Sequence, residues 1–154
     1  MAKPRASIKV KGIDKTIARM GLIALRAQAF NPVFVKAKAE LHLANSSNFA
    51  SNGLLVGGWS PLDAEYAAWK MSRFPGAPPM VRTGRLFASL AGANASSFRM
   101  TNTSMSVGTT VEYAKFHQYG TTKMPKRKIV FEPAGFAKKV GADAAAWVAR
   151  GEVF

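Results

Sequence analysis

The stretch GLLVGGWSPLDAEYAAWKMSRFPGAPPMVR, residues 53–82, restricts the fold more than any other part of the chain. Gly57-Gly58 breaks the backbone, Ser60 is placed to cap a helix, and Pro61 suits its first position. Asp63 completes a capping-box pattern. Leu62, Tyr66 and Trp69 then recur at i, i+4 and i+7, one stripe of an amphipathic helix. The prolines at 75, 78 and 79 end it, because each removes a backbone donor and fixes φ. A helix followed by an extended loop at about 74–82 is the expected result.

Other segments carry weaker but readable patterns. SIKVKG alternates, with Ile8 and Val10 on one side and Lys9 and Lys11 on the other, as in a half-buried strand with a basic outer face. Asp14 opens a helix carrying Ile17, Met20, Ile23 and Ala24 at near-helical spacing. Asn31-Pro32 opens a second, with Val35, Ala39, His42 and Leu43 along one side. ANSSNFASNG is rich in small polar residues that favour turns, so this helix is expected to fade there and leave a flexible loop at about 45–58. Thr83 caps a short helix with Leu86 and Leu90 inward. SSFRM and SMSVG form a hairpin around Asn102, and VEYAKFHQYG forms two helical turns closed by Gly120. KIVFE reads as a last strand, and Pro133 opens a terminal helix with Phe136, Val140, Ala144 and Trp147. The sum predicts a single α+β domain over residues 1–154, with a mostly antiparallel sheet of about four strands and helices packed on one face.

Composition narrows the function classes. A chain that is 48% hydrophobic and 19% charged suits a globular domain. With 22 basic residues against 8 acidic, the formal charge is +14, which favours a polyanionic or acidic neighbour. No cysteine is present, so disulfides and thiolate metal sites are excluded. The basic N-terminus has no apolar stretch behind it, as a signal peptide would. No segment approaches the roughly 18 to 20 apolar residues of a membrane span, so a soluble chain without membrane contact is expected.

Residues 111–120 bring Glu112, Tyr113, His117 and Tyr119 together and invite a catalytic interpretation. On a helix Tyr113, Phe116 and His117 share a face. They serve either as an aromatic stripe anchoring the helix, with the imidazole hydrogen-bonded at its edge, or as the setting for His117 as a general base. A base needs a partner, yet the carboxylates are scattered singly and the other histidine is His42. No metal-ligand spacing, nucleophile elbow, P-loop or dinucleotide fingerprint occurs, so no cofactor and no catalytic residue are assigned. Lys9, Lys11, Lys123, Lys126, Arg127 and Lys128 are the candidate contacts to DNA or to an acidic partner. They form either a solvated face or a surface for sequence-independent phosphate binding, since no recognition element is present.

The order of signals from Trp59 to Pro133 is more distinctive than any one of them. Trp59 and its Ser-Pro-Leu helix come first, then Thr83-Gly84, Leu86 and Ser89. Val107-Gly108, Tyr113-Ala114, His117-Gln118 and Gly120 follow, then Pro125 and Arg127. This series resembles the virion-morphogenesis, or tail-completion, family of neck proteins in tailed bacteriophages. It departs in Lys128-Ile129, where related chains carry Pro-Phe.

The resemblance implies a non-enzymatic α+β subunit of the virion, assembled in the bacterial cytoplasm and forming a homo-oligomeric ring at the head–tail junction. By analogy with tail symmetry the ring is a hexamer. Implied partners are portal, adaptor or head-closure proteins on one side and a tail terminator or tail-tube protein on the other, with double-stranded DNA in the lumen. Thr83 and Gly84 would then shape a helix start, and Gly108 a sharp exit from a strand. Tyr113 and His117 would pin a helix that Gly120 stops, and Pro125 and Arg127 would place the last strand. Leu54, Leu55 and Val56 either meet a partner or cover their own core. A terminator or head-closure role at the same junction, a non-specific DNA-binding protein, and a hydrolase built on His117 are the alternatives.

Overall fold

A computed structural model describes residues 12–91 and 98–153. The SIKVKG strand, with Lys9 and Lys11, lies outside the described residues. Within them the chain is mostly helical, and the four-stranded sheet is not formed: the sheet is one two-stranded antiparallel hairpin. Six helices run in chain order: α1 (Ile13–Arg26), α2 (Asn31–Ala50), α3 (Ala64–Arg73), α4 (Arg85–Ala91), α5 (Ala114–Tyr119) and α6 (Phe136–Arg150). The hairpin, β1 (Phe98–Met100) and β2 (Met105–Val107), falls between α4 and α5 and pairs Phe98 with Val107 and Met100 with Met105. No helix among the described residues is long and apolar enough to cross a membrane.

α2 is the spine. It begins at the Asn31-Pro32 signal, with Pro in its first turn, where the missing donor costs nothing. It does not fade in the Asn/Ser-rich run but continues to Ala50. Burial explains this, because Asn45 and Asn48 face inward and their amides donate to the carbonyls of Leu90 (3.3 Å) and Lys128 (3.5 Å). The chain then reverses at Gly53, whose φ of +83° and contact with the Trp59 ring leave no space for a Cβ; one would stand 2.4 Å from that ring. A single 3-10 turn, Leu54–Val56, completes the corner.

The core sits at this end of α2. Phe49 packs edge-on against both Trp59 and Phe87, at centroid distances of 5.3 and 5.4 Å. Leu86 and Leu90 of α4 point inward as their spacing predicts, joined by Met80, Val111, Ala114 and Ile129. Fully buried side chains such as Leu90 and Ile129 each contribute about 1.5–3 kcal/mol through lost contact with water.

KIVFE, expected as a strand, is irregular, bends at Val130 and has no strand partner. Side chains replace the sheet. Gln118 Oε1 accepts from the amides of Ile129 (2.9 Å) and Val130 (3.0 Å), and its Nε2 donates to the Val130 carbonyl (2.9 Å). The Lys128 carbonyl accepts from Trp59 Nε1 at 2.9 Å. These backbone groups are satisfied without a neighbouring strand, and burial demands no more.

At the other end of α2, α6 lies alongside α1 and the first half of α2. Lys36 pairs with Asp143 at 2.7 Å and Lys139 with Glu40 at 2.7 Å. Trp147 Nε1 donates to the carbonyls of Arg26 and Ala29, at 3.2 and 2.8 Å. α1 has no buried residue.

Candidate cleft at the motif residues

The segment after α3 runs beneath α5 and leaves a cleft of about 600 Å³ between them. α3 starts at Asp63, three residues after the expected Ser60 cap, because Asp63 Oδ1 accepts from the amides of Glu65 (3.0 Å) and Tyr66 (3.2 Å). This places Leu62, Asp63 and Tyr66 on one wall. Pro79, Met80 and Arg82 through Leu86 make the second. α5 and the turn behind it close the third with Tyr113, Phe116, His117, Lys123 and Arg127.

The structure therefore draws Thr83, Gly84, Leu86, Tyr113, His117, Pro125 and Arg127 to one place, although they are spread over some forty residues. Trp59, Gly108 and Gly120 lie elsewhere. Trp59 belongs to the core. Gly108 has no left-handed backbone and nothing within 4 Å of where a Cβ would stand, so the sharp exit expected of it is not what the glycine provides. Gly120 is required: at φ +77° a Cβ would lie 2.9 Å from the Lys126 amide nitrogen, where the chain folds back through the Thr121–Met124 bridge.

The aromatic stripe of α5 is not buried. Tyr113 is 38% and Phe116 44% exposed, with the Tyr113 ring edge-on to the His117 imidazole at 6.1 Å. Tyr66 and Trp69 are also exposed and stack on each other at 5.5 Å; the inward residue of α3 is Lys70. Its ammonium donates to the carbonyls of Pro78 and Pro79, which holds the proline loop against the helix. Burial, and then the charge of Arg82, lower the Lys70 pKa.

Arg127, a motif residue and also a candidate contact to DNA or to an acidic partner, is buried. Its Nε donates to the Ser60 carbonyl (2.9 Å) and its Nη2 to that of Pro61 (2.7 Å), so it fixes the lead into α3 while one side borders the cleft. Its own amide donates to the His117 carbonyl at 2.7 Å. Burial, and secondarily the Arg127 charge, lower the His117 pKa, so the imidazole is neutral at neutral pH. Its Nδ1 is buried and has no partner. Lys123, Lys126 and Lys128 are exposed, and of these Lys123 borders the cleft.

Chemically the cleft is cationic. Arg82, Arg85, Lys123 and Arg127 face it against Asp63, whose carboxylate is engaged by the start of α3. The ion pairs among the described residues all lie elsewhere, on α2 and α6 or beyond α6. No group of three or more His, Asp or Glu residues among them could hold a metal ion.

Sequence reasoning collected these motif residues but missed the concavity they form. It also missed Gln118, Asn48 and Lys70 as the polar staples. The one available signal for the cleft was the pair of arginines bracketing Thr83-Gly84. No family model matches the chain, and neither a curated protein nor a solved structure matches it.

Proposed function

We propose that this chain is a non-enzymatic assembly subunit of a tailed-phage head–tail junction, a neck or tail-completion protein that works in a ring of its own copies. One observation supports assembly most directly: the helices carry apolar stripes that the isolated chain leaves bare. On α1, Ile13, Ile17 and Met20 recur at i, i+4 and i+7 and are 50%, 62% and 64% exposed. On α2, Val35, Ala39 and Leu43 form a second stripe two residues out of step with buried Val33, Ala37 and Leu41, hence roughly 200° round the helix. A helix apolar on both sides belongs inside a larger body than one subunit. Exposed apolar surface of this extent marks a protein–protein contact.

The motif order of the Trp59–Pro133 region supplies the junction, the ring and the phage context by resemblance. A ring subunit presents two unlike surfaces to its neighbours, and the stripes of α1 and α2 offer such a pair. Immunogold labelling of particles from the phage or prophage encoding this chain tests the reading. Label at the head–tail vertex, together with unjoined filled heads and finished tails when the gene is deleted, is expected. Particles that carry no label, or that join normally without the gene, would remove it.

The +14 charge favours a second reading, a sequence-independent DNA-binding protein. That reading requires duplex binding by the free chain whose log K falls linearly with log salt.

A further inference from the structure

The cleft has a feature that neither ring packing nor DNA in a lumen uses: it combines an apolar floor with an uncompensated cationic rim. Met80 and Leu86 rise from the core into the floor, with Leu62 and Phe116 beside them. Arg82, Arg85 and Lys123 at the rim have no carboxylate within ion-pair distance among the described residues. The walls are braced from behind, since the Lys70 ammonium and the Arg127 guanidinium are tied to loop carbonyls. The site is thus held open before anything enters it, which lowers the ordering cost of binding.

We propose that the cleft is a docking site for a short acidic peptide segment of another protein, one that carries a large apolar side chain among its carboxylates. The apolar side chain sits on the Leu62–Met80–Leu86–Phe116 floor, and flanking carboxylates take paired hydrogen bonds from the Arg82 and Arg85 guanidinia. The volume, about 600 Å³, accommodates a few residues.

Two other occupants fit less well. Duplex DNA displays its phosphates on a convex surface too broad for a concave site, and it has no use for the floor. A second copy of this chain lacks the chemistry. Of its eight acidic residues, Glu40, Asp143 and Glu152 are ion-paired and Asp63 is a helix cap, while Asp14, Glu65, Glu112 and Glu132 stand singly. A different component of the junction must supply the segment, so this inference rests on the assembly reading for its partner.

Fluorescence anisotropy of the full chain with labelled Glu-Glu-Phe-Leu-Glu-Glu tests it, against Glu-Glu-Gly-Ser-Glu-Glu and a short DNA duplex. The Cε1 resonance of His117, one of two histidines, reports occupancy of the cleft. Binding of the apolar-containing peptide is expected to be at least tenfold tighter than that of the Gly-Ser peptide. It should shift the His117 resonance and weaken at least tenfold in R82Q/R85Q, while Lys138→Gln on α6 leaves it unchanged. Equal binding of the three probes, an unmoved His117 signal, or full affinity in R82Q/R85Q would overturn the proposal; circular dichroism and an unchanged melting curve establish that the variant is folded. If R82Q/R85Q joins heads to tails as the parent does and no peptide binds, the cleft inference falls and the assembly role stands. If the peptide binds but particles lack the chain, the assembly role falls and the cleft stands.

Discussion

The two ends of α2 are held by different physics. Its C-terminal half is locked by burial: Phe49, Leu90 and Ile129 belong to one core, and Asn48, Trp59 and Gln118 hydrogen-bond the backbone beside it, although Asn48 Oδ1 is buried without a partner. Its N-terminal half buries Val33 and Ala37 and adds two ion pairs to α6, while α1 beside it buries nothing. Also facing outward are Ile13, Ile17 and Met20 of α1 and Val35 and Leu43 of α2. On the assembly role proposed above, those bare residues are where a neighbour would pack.

Substitutions can break or sharpen this contrast. The largest effect is expected from Leu90→Ala, about 3 kcal/mol lost, read as a lower urea midpoint at constant slope. Ile17→Ala on α1 should cost under about 0.5 kcal/mol in the monomer. Equal costs would mean that Ile17 is buried as Leu90 is. Next comes Gln118→Leu, about 2 kcal/mol, because two buried amides lose their acceptor. Hydrogen exchange should then quicken at Ile129 and Val130 before it does elsewhere. Asp143→Asn weakens the hold of α6 on α2 by about 1–2 kcal/mol, between the limits for exposed and buried pairs. Here exchange should quicken along α6 and leave α4 untouched; a uniform change would show that the two regions unfold together.

The smallest effect is a pH dependence. The folded His117 pKa lies below its ordinary value of about 6.5, so the unfolded chain takes up the proton first as pH falls. Stability from this group is complete above that pH and declines below it until the folded pKa is passed. His117→Gln should flatten the decline between pH 7 and 5, and an unchanged slope would assign it to other groups.

What the sequence made legible was local. The inward Leu86 and Leu90, the hairpin register around Asn102 and the stop at Gly120 each depend on neighbours a few residues away. The errors were non-local. The short apolar run in KIVFE is a strand signal, but a side chain eleven and twelve residues earlier supplied the hydrogen bonds a sheet would have given. ANSSNFA has turn composition, yet the two buried asparagines found carbonyls forty-five and eighty residues away and the helix continued. The spacing of Val35, Ala39, His42 and Leu43 predicts one face, and the structure leaves Val35, Ala39 and Leu43 exposed and His42 half-buried. The cleft followed the same rule. Its residues were in hand as motif positions, but their common wall is a product of tertiary packing.

A rod with grease on both flanks belongs to two interiors at once. If the chain assembles as proposed, dilution becomes a structural variable: subunits at low concentration would keep α2 wet along one side, and crowded ones would dry it against a neighbour. Joining would then finish the fold, and the shelf life of a lone copy would be governed by how soon it meets the next.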